Sequence, residues 1–316
     1  SYEEYGSLHS LYKHDHQKFI DYNIKDVELV HRLDEKIGII SLVLTMSYSA
    51  KTNYGDALGT TAIWDSIIYN ELIDKNIIIP PRPSIDHGAG KIVGGFVKDP
   101  MVGAHDWVVS FDLNSLYPNI IVQYNMSPET MCYDEDMDTT KCANGAMFRK
   151  DFEGIIPKVI RKFYDNRVVI KKRMLEAKSE YEKAPTKRLE NEIAQLDNQQ
   201  MGIKILMNSL YGALANKYFR YFDHRIAEGV TLSGQRAIKC AEKAVNDEMN
   251  NLLGTDEDYV IAIDTDSVYI NMAPLVKKFD PKDPVKFLDK ICEDHFEKVL
   301  DMAYQTLANE TNAYEN

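Results

Sequence analysis

The chain has 316 residues, 44% of them hydrophobic and 27% charged, with Gly and Pro at ordinary levels. That length suits about two domains, and the apolar content excludes a disordered or collagen-like chain. The net charge of −12 makes the chain as a whole a poor partner for nucleic acid, so such a role must rest on local clusters.

In chain order, residues 14–46 keep an approximate helical beat through Phe19, Tyr22, Val27, Val30, Leu33, Ile37 and Ile40. A second amphipathic stretch covers residues 60–73. From 74 to 105 the prolines and glycines break any helix, leaving short strands such as Lys91–Val97, and an architectural boundary is expected there. Trp107–Asp112 reads as a short apolar strand ending in an acid, and Pro118 suits the first turn of a following helix. Residues 126–153 read as irregular. Two long helices, from about Pro157 to Lys183 and from about Lys187 to Asn216, form a hairpin around Ala184-Pro185-Thr186. Another helix is expected over 225–250, then two strands, Tyr259–Ile263 and Ser267–Ile270, flanking Asp264-Thr265-Asp266, and a helical tail from 284. The fold class is α+β with a small antiparallel sheet.

Cys132, Cys142, Cys240 and Cys292 lie far apart with no C-x-x-C, which argues against a zinc site or a disulfide framework and fits a reducing cytoplasm. The longest apolar run, Ile37–Met46, is interrupted by Gly38 and Ser41 and is far shorter than the roughly 20 residues of a spanning helix. Neither a secretory signal nor a membrane partner is expected. The first residue is Ser1, which points to a processed product or an excised piece.

Three segments carry chemistry. Asp112 at a strand end can serve a hard cation such as Mg2+, or cap the helix that follows. Asp264 and Asp266 are ordinary turn residues, yet two acids on one turn repel and a cation relieves that repulsion. Lys204, Asn208 and Tyr211 share one helix face at i, i+4 and i+7, and Arg167 and Lys171 share another at i, i+4. Facing one ligand, these cations, the amide and the ring suit a triphosphate; apart, they form a solvated charged surface. The basic cluster between Lys158 and Arg173 holds one acid, Asp165.

Taken together, DLNSLYP at 112–118, KILMNSLYG at 204–212 and DTDS at 264–267 resemble the three ordered polymerase motifs of family B DNA polymerases. The flanking text, such as YNIKDVELV at 22–30 and NSLYGALANKYFRYFD at 208–223, is similar to the replicative polymerases of T-even-type phages. The resemblance implies that Asp112 and Asp266 hold two Mg2+ ions with the Leu113 carbonyl, and that Asp264 is a nearby third acid. It implies that amides at Ser115 and Leu116 cradle the triphosphate with Arg167, Lys171, Lys204 and Asn208. Tyr117 then lies under the sugar as a steric gate, Tyr211 lines the nascent base pair, and Lys204 protonates the leaving group. Residues 155–216 become fingers, 84–154 and 217–316 a palm, and 1–83 the tail of an exonuclease domain with linker helices. Tyr22 and Asp26 match the third exonuclease motif without its other acids, leaving Asp26 an orphan ligand. Ile263 stands where the family usually has Gly, so a differently set turn is expected.

The implied function is DNA-directed DNA synthesis on primer–template DNA from deoxynucleoside triphosphates, in the cytoplasm of an infected bacterial host. The thumb, the remaining exonuclease and the clamp-binding terminus are expected on other segments or a separate chain, with a sliding clamp reached only through that terminus. The alternative is a nucleotide- or DNA-binding piece that is inactive without those parts; an exonuclease fragment is a third reading.

Overall fold

The structure, a computed structural model, describes residues 3–81 and 90–314. The first helices end where local chemistry dictates. Helix α1 (Leu8–His14) is capped by Ser7, whose side chain accepts from the Ser10 amide, and Asp15 opens α2 (His16–Ile37) by accepting from Lys18. Gly38, at φ 67, closes α2 and starts α3 (Ile39–Ala50). The single helix expected over 14–46 is therefore two helices, divided at a glycine that takes the left-handed conformation at little steric cost.

Next come α4 (Thr60–Ile73), β1 (Val97–Lys98), β2 (Val108–Asp112), α5 (Leu116–Gln123), β3 (Met131–Cys132), β4 (Thr139–Lys141) and β5 (Met147–Arg149). The long helices are α6 (Ile155–Lys183), α7 (Lys187–Leu214) and α8 (His224–Leu253). After them follow β6 (Val260–Asp264), β7 (Ser267–Asn271), α9 (Ala273–Phe279), α10 (Pro284–Ile291), a π-helical turn at Cys292–Phe296 and α11 (Glu297–Thr311). The expected strand at Lys91–Val97 shrinks to a two-residue pairing at its end, and the region read as irregular, 126–153, contains a three-stranded sheet in the order β3-β5-β4. None of the helices among the described residues is long and apolar enough to cross a membrane.

The chain divides into two compact units: residues up to Leu58 with Ile170–Gly202, and Gly59–Val169 with the chain from Ile203 on. The expected boundary at 83/84 lies outside the described residues. Within the first unit, Gly202 on α7 comes close to Met46, Leu42 and Thr45 of α3. Helix α2 has no buried residue and displays Val27, Val30, Leu33 and Ile37.

In the second unit, the indole N–H of Trp64 on α4 donates to the Leu206 carbonyl and the Ser209 hydroxyl at 3.2 and 3.1 Å, anchoring the end of α7. Its main sheet runs β1-β6-β7-β2, antiparallel throughout. Helix α8, capped by Asp223 and ended by Gly254 at φ 73, lays Ile238, Ala241, Val245 and Met249 against Val260, Ile263, Val268 and Ile270 of β6 and β7. Leu275, Leu288, Phe296 and Leu300 complete this core. Alternation then settles the rest: Val109, Phe111, Val268 and Ile270 face the core, so Asp112 and Ser267 stand on the other face.

Candidate active site

The acidic site forms where β2 ends beside the β6–β7 hairpin. Asp112 is the cross-strand partner of Ser267, and Asp264 pairs with Ser267 from the other side, so all three share one face at the same end of the sheet. The Ser267 hydroxyl donates to Asp112 Oδ2 at 2.9 Å, and the Leu113 amide donates to the Asp266 carbonyl at 2.8 Å. Asp112 is therefore no helix cap. The residue preceding α5 is Ser115, held at φ 55, with no side-chain bond to the helix.

The hairpin turn is unusually tight. The Asp266 amide donates to the Asp264 carbonyl at 2.6 Å around Thr265, which sits at φ 54. A β-branched residue at positive φ is strained, and a turn closed over three residues through such a centre is the rarer form. It is held by its neighbour: the Thr265 amide donates to the Phe96 carbonyl at 2.9 Å, just before β1. Ile263, where the resemblance leads one to expect Gly, is buried in the α8 core, and the unusual backbone falls two residues later at Thr265.

Electrostatics mark the same spot. Burial, then the charge of Asp112, then that of Asp264 raise the Asp266 carboxyl above its ordinary range. No Lys or Arg among the described residues pairs with Asp112, Asp264 or Asp266. Hard carboxylate oxygens that repel each other at a partly exposed strand end suit a divalent cation chemically. Among the described residues, no three His, Cys, Asp or Glu side chains gather into a metal-holding group.

Tyr117 adjoins the acids. Its ring lies 4.8 Å from that of Tyr211, and burial, with Tyr211 and Asp266 nearby, pushes its phenol up to about 12. Burial also raises Tyr211. Through this contact the face of α7 shared by Lys204, Asn208 and Tyr211 runs toward the site, and Lys204 and Asn208 are exposed on it. Arg167 keeps its Nε buried without a partner. Lys171 belongs to the first unit, whereas Arg167 and Lys204 belong to the second. Tyr22 and Asp26 share a face of α2 in the first unit, and Asp26 is exposed.

Sequence reasoning overlooked Gly95, Gly234, Thr265 and Ser267. A Cβ on Gly95 would meet Thr265 side-chain atoms at 2.9 Å and the Tyr117 hydroxyl at 3.1 Å; one on Gly234 would meet the Tyr117 ring at 3.1 Å. The pair Gly94-Gly95 inside an apolar stretch was the available signal. A cavity of about 500 Å3 is lined by Leu113, Asn114, Asn119, Asp301 and Gln305 among others, and by none of the three acids.

The profile of DNA polymerase family B matches residues 59–298, which includes the acidic site and α8. The chain is 34% identical to a DNA-directed DNA polymerase of Enterobacteria phage T4, over 98% of this chain and 42% of that protein. It is 32% identical to one of Escherichia phage RB69, over 97% of this chain and 41% of that protein. DNA polymerase 1 of Pyrococcus abyssi is 35% identical over 63% of this chain. The chain thus spans about two fifths of its phage relatives. A profile match over most of the chain, with both acidic segments inside it, shows that this chain belongs to DNA polymerase family B.

Proposed function

We propose that this chain is the catalytic core of a DNA-directed DNA polymerase, joining deoxynucleotides to a primer 3′-hydroxyl under the direction of a template. The observation that carries the reading is the meeting of two acids from distant segments, Asp112 and Asp266, on one sheet end with a mutual repulsion that no described cation offsets. The main sheet with α8 corresponds to a palm and the α6–α7 hairpin to fingers.

Asp112 and Asp266, with the Leu113 carbonyl, would hold two Mg2+ ions. When bound, these ions supply activation of the primer hydroxyl and neutralisation of phosphoryl charge. The chain's own residues do the positioning. Ser115 and Leu116 present backbone amides at the strand-to-helix corner, and Arg167, Lys204 and Asn208 supply charge and a hydrogen bond to a triphosphate. Tyr117 lies beneath the sugar and excludes a 2′-hydroxyl. Tyr211 supports the base pair from behind that ring. Lys204 hands a proton to the departing pyrophosphate; a Lys204→Met variant with undiminished turnover would discard this role.

The partners follow from the same reading: primer–template DNA, deoxynucleoside triphosphates and the portions of the phage relatives that this chain does not span. The exposed apolar residues of α2 give such portions something to cover. Primer extension with excess chain and Mg2+, repeated with Asp266→Asn, tests the proposal. Slow, distributive extension that the substitution abolishes is expected, with improvement when a chain carrying the remaining portions is added. Triphosphate binding without extension, before or after that addition, would favour a binding module instead.

A further inference from the structure

Tyr117 is a large ring in a confined place, and its room comes from the absence of two side chains. Gly234 lies on the buried side of α8 and its missing Cβ leaves room for the Tyr117 Cε1 edge, which a methyl group would meet at 3.1 Å. Gly95 does the same at the hydroxyl end, where a methyl group would stand 3.1 Å from the phenol oxygen and 2.9 Å from Thr265 Cγ2 and Oγ1. Neither backbone is free to retreat. The Gln235 amide donates to the Gly94 carbonyl at 2.7 Å, the Lys239 ammonium lies 4.4 Å above the Phe96 ring, and the Phe96 carbonyl accepts from Thr265.

We infer that Gly234 and Gly95 are a positioning pair that fixes the Tyr117 ring and so sets how tightly the site closes on the sugar of an incoming nucleotide. The inference rests on the reading of Tyr117 as the sugar gate. The two glycines act differently. A side chain at Gly234 pushes from the buried side and moves the ring outward, toward the sugar. A side chain at Gly95 pushes Thr265 as well, and through it the turn that carries Asp266. The first change narrows the gate; the second also disturbs the acids.

The test combines a structural and a functional measurement on the full chain. In protein carrying 3-fluorotyrosine, the Tyr117 resonance is identified by its loss in Tyr117→Phe, and Gly234→Ala should shift it while the other tyrosine resonances hold. Alanine favours a helix more than glycine does, which offsets part of the cost of the crowding. In primer extension, or in Mg2+-dependent triphosphate binding where extension is slow, Gly234→Ala should raise KM or Kd for deoxynucleotides about tenfold, with a smaller change in kcat. Gly95→Ala should lower kcat. In a Tyr117→Ala background the Gly234→Ala effect should vanish, because no ring remains to be pushed. An unmoved resonance, an unchanged KM, or an effect that persists without the ring overturns the inference. Continued exclusion of ribonucleotides by Tyr117→Ala instead overturns the gate reading, and a chain that neither binds triphosphate nor extends a primer overturns both.

Discussion

The two sheets of the second unit treat their polar side chains in opposite ways. Around β3, β4 and β5, buried polar groups are consumed by the chain itself. The Asn125 amide donates to the carbonyls of Arg149 and Phe152 at 2.7 and 2.8 Å, while its oxygen accepts from the Gly154 amide at 2.8 Å. Thr140 donates to the Tyr124 carbonyl at 2.6 Å, and Glu129 and Ser127 accept from the first amides of α6. At the end of the β1-β6-β7-β2 sheet the reverse holds. Asp112 has one hydroxyl donor, Asp266 is raised by burial and by its like-charged neighbours, and the turn between the acids is strained at Thr265. Side chains that close the chain's own hydrogen bonds are architecture, whereas groups left facing each other await a ligand.

The largest expected effects separate these regions. Asp112→Asn and Asp266→Asn should each lower primer extension by about a thousandfold or more, roughly 4 kcal/mol of transition-state stabilisation, while thermal unfolding midpoints stay level or rise because repulsion is removed. A fall in both activity and midpoint would mean that the acids are architecture after all. Asn125→Ala should do the converse. It strips one buried and two half-buried backbone groups of their partner and should cost about 2–4 kcal/mol in urea unfolding, with kcat per folded molecule unchanged.

A smaller effect sharpens the contrast at the turn. Thr265→Gly accepts the positive φ without strain, so stability should stay within about 1 kcal/mol. The looser turn should nonetheless slow extension about tenfold. Loss of stability without loss of rate would assign the strain to folding. The smallest effect concerns Cys142, directly after β4, where burial pushes the thiol up to about 12. Iodoacetamide at pH 8 should leave Cys142 unmodified until the protein unfolds, since only the thiolate reacts; rapid labelling in the native state would show that this sheet is not sealed.

Much of this was legible in the residues. Helix ends carry their own punctuation, as at Asp223 before α8 and Gly254 after it, and the apolar strands around Asp264–Asp266 are found within a residue of expectation. The three-stranded sheet escaped because strands of two or three residues are too short to show alternation. The division of α2 from α3 at Gly38 escaped because an apolar beat continues across the break. At the site, Asp112 and Asp266 each had an ordinary local reading as cap or turn, and only the ordered motifs pointed to their pairing. Gly234 left no signal and Gly95 only a glycine pair in an apolar stretch, because what requires them is the ring of Tyr117, remote in sequence and near only after folding.

The central claim is that Asp112 and Asp266 jointly hold the divalent ions of a nucleotidyl-transfer site. Its most direct test is Mn2+ binding, followed by electron paramagnetic resonance, to the full chain with and without a deoxynucleoside triphosphate. Triphosphate-dependent Mn2+ binding that is lost in both Asp112→Asn and Asp266→Asn is the result predicted; Mn2+ binding that neither substitution alters would contradict it.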